Sequence, residues 1–334
     1  MEASMRITVL GAGSWGTTMA SLVADRHETT LWARNPDVAL EINENRTNGS
    51  YLAGVTLPRE LRASSDLEKA VATAQLLVVA VPSHAFRRTL EDLRHSIHPW
   101  IPVVSLTKGF EQGSLMRMTE VITDVLPGHP AAALTGPNIA REIISGSAAA
   151  AVVATPDLAV ATAIQHVLGR GVFRLYTNHD VIGCEVGGAL KNVVAIACGI
   201  AQGLSVGDNT RAAVMTRGLA ELSRLGKAMG GEVATFAGLT GMGDLIATCV
   251  SPHSRNRHVG EQLGHGRPLA EITGEMTMVA EGLTAAVTAH DLAQRYGVEM
   301  PVCSEIYAVV TGAISASQAY TGLRRRAGHE SLPG

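Results

Sequence analysis

The chain has 334 residues, 46 % hydrophobic and 17 % charged, which is enough apolar material for large cores and too little charge for a disordered polymer. Its length points to two domains. A formal net charge of −3, with no basic run longer than Arg324-Arg325-Arg326, argues against a nucleic-acid partner.

Four cysteines, Cys184, Cys198, Cys249 and Cys303, make no CxxC pair, and His95 and His98 stand without companions, so neither a disulfide framework nor a metal site is expected. The N-terminus lacks an apolar signal core and a cleavage pattern, and no uninterrupted apolar run reaches membrane-spanning length. A cytoplasmic protein without membrane insertion is the expectation.

Short β-rich runs alternate with helical stretches through the first half: RITVL (6–10), TTLWA (29–33), LLVVAV (76–81), IPVVSL (101–106), PAAALT (130–135), AAAAVVAT (148–155) and VFRLYT (172–177). Continuously apolar strands between helices predict an α/β fold, a Rossmann-type doubly wound, mostly parallel sheet covered on both faces, over residues 1–180. From 181 to 334 strands cease, and an all-α substrate-binding and catalytic domain is expected. Its first helix, VIGCEVGGALKNVVAIACGIAQGL (181–204), is apolar nearly all round and carries only Glu185 and Lys191 as charges. A helix of that kind belongs in a core, where a lysine is costly unless something uses it.

GAGSWG places Gly11, Gly13 and Gly16 in G-x-G-x-x-G spacing directly after a strand and at the start of a helix. That context predicts dinucleotide binding: Gly11 for the tight turn, Gly13 for close approach of the pyrophosphate, Gly16 for helix–strand packing, and free helix N–H groups for the phosphates. The next strand ends in Arg34 rather than an acid, which favours NADP over NAD because an arginine accepts a 2′-phosphate. Parallel strands deliver groups at their carboxyl ends, which selects Pro82 and Ser83, then Lys108, then Gly136, Pro137 and Asn138. Lys108 is the informative one, a cation suited to an anionic or carbonyl substrate.

In the second half, GLTGMGDLIATC sets Asp244 at a helix start with Thr248 one turn on; taken alone, Asp244 reads as a plain N-cap. SPHSRN makes Ser254 a cap, with Arg255 and Asn256 in the first turn. An arginine there opposes the helix dipole, a conflict that either a bound phosphate or simple solvation would resolve. Glu281 precedes a glycine and a helical run, and fits either a cofactor contact or a helix start.

Together GAGSWGT, VPSH, SLTKGF, GPNIARE, ALKNVVAIACGIAQGL, NTRAAVMTRGLAEL, GLTGMGDLIATC, SPHSRNR and VAEG, in that order over nearly the whole chain, resemble the soluble NAD(P)-dependent glycerol-3-phosphate dehydrogenases. The resemblance implies reversible reduction of dihydroxyacetone phosphate to sn-glycerol 3-phosphate for phospholipid synthesis. It implies that Ser14, Trp15, Arg34, Lys108, Ala140, Arg255, Val279 and Glu281 contact the cofactor. It implies that Lys108, Gly136, Asn138, Asn192, Asp244, Thr248, Ser254, Arg255 and Asn256 form the substrate site, with Lys191 as acid and base assisted by Lys108 and Asp244. The chain departs from the family at Asn138 and Ile139, where Ser or Thr followed by Phe is common, which puts the side-chain contact at 138 in question. Two alternatives stay open: another dehydrogenase with the same two-part fold, of hydroxy-acid or 6-phosphogluconate type, and a non-catalytic dinucleotide sensor. The apolar helices also leave a homodimer open. Gly187 and Gly188, one turn before Lys191, are expected to give substrate or cofactor room.

Overall fold

A computed structural model describes residues 4–276 and 280–323. Eight strands form one sheet: β1 (Arg6–Leu10), β2 (Glu28–Trp32), β3 (Arg62–Ser64), β4 (Leu76–Val79), β5 (Val103–Ser105), β6 (Ala131–Thr135), β7 (Ala149–Ala154) and β8 (Phe173–Asn178), in the order β3-β2-β1-β4-β5-β6-β7-β8. Side chains alternate between sheet faces, and here both faces are apolar. Leu76 and Val78 of β4 join Ile7, Val9, Val104 and Leu134 in one core, while Leu77 and Val79 join Leu10, Val103, Phe86 and Leu90 in another. A strand buried on both sides has no polar face, which is why these runs are continuously hydrophobic.

β3 has no counterpart in the sequence reading. It is a three-residue edge strand beginning at the exposed Arg62, too short and too polar to stand out. The sheet also contains one antiparallel pair, with Leu134 of β6 opposite Val153 of β7. Between these strands the chain forms only the short helix Ala140–Ile144.

The chain divides into two compact units, Met1–Thr107 with Met116–Val181, and Lys108–Leu115 with Ile182–Gly334. From Ile182 onward the second contains helices and no strand among its described residues. The Lys108–Leu115 segment belongs to it although it follows β5 in sequence: Phe110 lies in the helical core beside Leu190, Val193 and Val194. The central helix, Val181–Gly203, is buried continuously from Gly183 to Ala201. It is long and apolar enough to span a membrane, as is the segment Val233–Val250, but 89 % of the first helix's most apolar window is inside the protein. Its hydrophobicity serves the core.

Candidate active site

In the first unit the glycine-rich turn has the shape its spacing predicts. Gly11 has φ of +106°, and a Cβ there would stand 2.8 Å from the Ala80 carbonyl oxygen. A Cβ at Gly16 would stand 2.0 Å from the Gly11 carbonyl oxygen, so the helix Ser14–Val23 can start against the turn only with glycine. Around Gly13 the space is open, and no side chain caps this helix, so its first-turn amides face the open side. A pyrophosphate fits that cradle.

Trp15 sets its ring edge-on to Phe173, with centroids 5.7 Å apart, and its buried indole N–H has no hydrogen-bond partner among the described residues. Arg34 is exposed just beyond β2. Gly136 (φ +139°) lets the end of β6 press on β7, where a Cβ would stand 2.9 Å from the Ala151 Cα. Both polar atoms of the Asn138 amide are buried and unpartnered among the described residues, a costly arrangement that a polar ligand would relieve. Ala140 opens its short helix and accepts a hydrogen bond from Thr18 of the glycine-loop helix at 3.4 Å. One contributor escaped the sequence reading. Asn48, fully buried, donates to the Ala12 carbonyl and to Thr17 Oγ1, both at 2.9 Å, and so braces the turn from below. In sequence it is one more asparagine in a polar loop, and nothing distinguishes it.

In the second unit Lys191, Asp244, Lys108 and Thr248 converge. Asp244 is 1 % exposed; its Oδ1 accepts from Lys191 Nζ and its Oδ2 from Lys108 Nζ at 2.8 Å. It opens the helix Asp244–Val250 without capping it, because its carboxylate is occupied by the two ammonium groups, and this excludes the plain N-cap role. Thr248 Oγ1 donates to the Asp244 carbonyl at 2.7 Å and accepts from Lys191 Nζ. Burial pulls the Lys191 ammonium down to about 8; Asp244 opposes that fall and Lys108 adds to it.

Backbone contact sets this alignment. A Cβ at Gly187 would stand 2.7 Å from the Thr240 carbonyl oxygen. Gly187 precedes Lys191 by one turn, Thr240 precedes Asp244 by one turn, and the intervening Leu239–Gly243 is a π-helical turn of the kind often found at functional sites. The expectation that Gly187 leaves room for a ligand is therefore corrected: a protein carbonyl fills that space.

Ser254 caps the helix Arg255–Gly264 as expected, its Oγ accepting from the Arg257 N–H at 3.3 Å. Asn256 is buried, and its Oδ1 accepts from the Gly282 N–H at 2.9 Å, which turns Nδ2 away as the free donor end. A Cβ at Gly282 would stand 2.7 Å from that Oδ1 and 2.8 Å from the Asn192 carbonyl oxygen. Asn256 thus lies against the buried Asn192, next in chain to Lys191. Arg255 is exposed; desolvation by its neighbours lowers its pKa, and the nearby charge of Glu281, first residue of the helix Glu281–Tyr296, opposes that shift. Val279 lies outside the described residues.

A family model described as NAD-dependent glycerol-3-phosphate dehydrogenase N-terminus matches residues 6–161, and its C-terminus counterpart matches residues 180–321. The chain is 54 % identical over 331 residues to glycerol-3-phosphate dehydrogenase (NAD(P)+) 2 of Sphingopyxis alaskensis, covering 99 % of both chains. It is 51 % identical over 335 residues to glycerol-3-phosphate dehydrogenase (NAD(P)+) of Mycobacterium avium, covering 99 % of this chain and 98 % of that one. Among solved structures, glycerol-3-phosphate dehydrogenase from Coxiella burnetii superposes with a TM-score of 0.93 at 34 % identity, over 97 % of this chain and 99 % of that one.

Proposed function

Since the chain belongs to the NAD-dependent glycerol-3-phosphate dehydrogenase family, we propose that it reversibly reduces dihydroxyacetone phosphate to sn-glycerol 3-phosphate with Lys191 as the acid and base. The observation that carries this reading is the buried Lys191–Asp244–Lys108 cluster. The nicotinamide supplies hydride to the ketone carbon when it is bound. Lys191 donates its proton to the carbonyl oxygen as negative charge develops there, and in the reverse direction its free amine removes the hydroxyl proton. Lys108 polarises the same oxygen. Asp244 holds both ammonium groups, and two cations against one carboxylate leave a net positive charge for the oxyanion. Because the Thr248 hydroxyl proton is committed to the Asp244 carbonyl, its lone pairs can only accept, which fixes the direction of Lys191 Nζ.

Ser254, Arg255 and Asn256 bind the phosphate through a hydroxyl, a guanidinium, an amide donor and the helix N–H groups. Asn192, Gly136 and Asn138 complete the substrate contacts; the unpartnered Asn138 amide supports its inclusion in place of the family's hydroxyl residue. Gly11, Gly13, Ser14, Trp15, Gly16, Arg34, Lys108, Ala140, Arg255, Val279 and Glu281 hold the dinucleotide. The reading extends to a cytoplasmic homodimer that supplies glycerophospholipid synthesis; its support is the family resemblance and the apolar composition of the helical half.

The direct test is oxidation of NADPH and of NADH with dihydroxyacetone phosphate. Wild type should oxidise both, with NADPH preferred, and should not turn over 3-hydroxy acids. Arg34→Ala should raise the KM for NADPH about tenfold, equivalent to about 1.4 kcal/mol, and leave that for NADH nearly unchanged. No ketone-dependent oxidation of either cofactor would overturn the proposal, and equal losses with both cofactors would remove Arg34 from a 2′-phosphate role.

The depressed pKa of Lys191 has a kinetic sign. Reduction needs the ammonium, so kcat/KM for dihydroxyacetone phosphate should fall as pH rises through about 8. Oxidation needs the free amine, so kcat/KM for glycerol 3-phosphate should rise through the same pH. Profiles with the two directions parallel would contradict this assignment.

A further inference from the structure

The buried side chain of Arg257 sits immediately after the proposed phosphate-binding residues and takes no part in the chemistry described above. It is 8 % exposed. Its Nε donates to the Ser251 carbonyl at 3.0 Å; its Nη1 donates to Gln202 Oε1 at 2.7 Å and to Glu261 Oε2 at 3.1 Å. Gln202 Nε2 in turn donates to Glu261 Oε1 at 3.3 Å.

These bonds have a definite topology. The link to Ser251 closes the loop that contains Ser254, Arg255 and Asn256, tying its outgoing end to its incoming end. The link to Gln202 fastens that loop to the last turn of the Lys191 helix, Val181–Gly203. Beneath the network the two helices touch backbone to backbone. A Cβ at Gly199 would stand 2.1 Å from the Arg257 carbonyl oxygen, and one at Gly260 would stand 2.1 Å from the Ile196 carbonyl oxygen. Such contact leaves no room for the helices to approach further, and the guanidinium fork prevents sliding along the contact, because it is planar and bonds three acceptors at once.

We propose that Arg257, with Gln202 and Glu261, is a positioning element that fixes the Ser254–Asn256 phosphate-binding turn at a set distance from Lys191. In this role it acts through the turn, with Nε and Nη1 bonded to protein acceptors. The inference rests on the phosphate role of that turn. A misplaced anion site weakens binding of the phosphorylated ketone, and a small displacement is enough to do so. A ketone lacking the phosphate is indifferent to it.

The test compares full-length wild type, Arg257→Gln and Gln202→Ala. Four quantities are measured: KM and kcat for dihydroxyacetone phosphate, kcat/KM for unphosphorylated dihydroxyacetone, the inhibition constant of inorganic phosphate as a competitor, and the KM for NADPH. Arg257→Gln should raise the KM for dihydroxyacetone phosphate and the phosphate inhibition constant together, by about tenfold. Its kcat, its kcat/KM for dihydroxyacetone and its KM for NADPH should stay within about threefold of wild type. Gln202→Ala removes fewer bonds and should shift the same two constants in the same direction, by about threefold. Arg257→Lys, which keeps the charge and can reach one acceptor, should restore part of the loss.

Equal losses with the phosphorylated and unphosphorylated ketones would overturn the proposal, because a merely structural role predicts that result. Unchanged KM and inhibition constants in folded variants would do the same. If Arg257→Gln does not fold, Gln202→Ala decides by the same two constants. A wild-type enzyme inactive on dihydroxyacetone phosphate would instead refute the parent reading, so the two failures are separable.

Discussion

Lys191→Met should lower kcat for dihydroxyacetone phosphate reduction by about a thousandfold or more while the folded state remains intact. The reason for both halves lies in the same cluster. Methionine occupies much the same space as the lysine stem, so the buried helix keeps its packing. Asp244 keeps a counter-charge, because Lys108 still donates to its Oδ2 at 2.8 Å. No buried carboxylate is left unpaired, and a buried cation that burial disfavours is removed. The melting temperature should therefore equal or exceed that of wild type, and NADPH affinity should be unaltered. What is lost is the proton donor at the ketone oxygen. The check is single-turnover reduction by stopped flow beside a thermal melt of the same preparation. Turnover near the wild-type rate would refute the role of Lys191 outright, whereas loss of rate with loss of fold would show that Lys108 alone does not sustain Asp244.

Arg255→Ala should raise the KM for dihydroxyacetone phosphate by about 10- to 100-fold, from one charge-assisted interaction of about 1.5–3 kcal/mol, with a smaller effect on kcat. Arg255 is an exposed residue in the first turn of its helix, where the dipole disfavours a cation. The nearby charge of Glu281 offsets that cost in part. An incoming phosphate would add favourable charge at that place. Removing the side chain relieves the dipole conflict, so helix stability should not fall on that account. It also removes a positive charge near Glu281, so the KM for NADPH should rise as well, by a smaller factor. An unchanged KM for dihydroxyacetone phosphate would sink the phosphate assignment and, with it, the premise of the Arg257 experiment.

Much of this site is legible in the sequence. The glycine spacing after RITVL implied the turn at Gly11, and the turn has the positive φ and the close carbonyl contacts that the spacing requires. Lys191 stood out because a charge in an all-apolar helix needs a reason, and Ser254 was recognisable as a cap from its place before a helical run. These features are local: they follow from steric limits, side-chain periodicity and the cost of burying charge, all of which act within one or two turns of chain.

What stayed hidden depends on residues distant in sequence. Its own segment makes Asp244 no more than an N-cap, and the family resemblance makes it a site residue; the fold shows how, by bringing Lys108 and Lys191, 136 and 53 residues away, to its two oxygens. Gly187 suggested space for a ligand until the Thr240 carbonyl was found to occupy it. Asn48 and Arg257 gave no sign at all, since a buried polar side chain reveals its purpose only through the partners that satisfy it. The sequence by itself determined the alternation of strands and helices in the first half, the glycine turn after β1 and the anomaly of a charged Lys191 in an apolar helix. Only the tertiary structure decided the geometry by which Asp244 holds both lysines, the burial that lowers the Lys191 pKa, and the bonds by which Arg257 ties the Ser254–Asn256 turn to the Val181–Gly203 helix, because each is a sum of contacts between chain segments whose pairing no local pattern records.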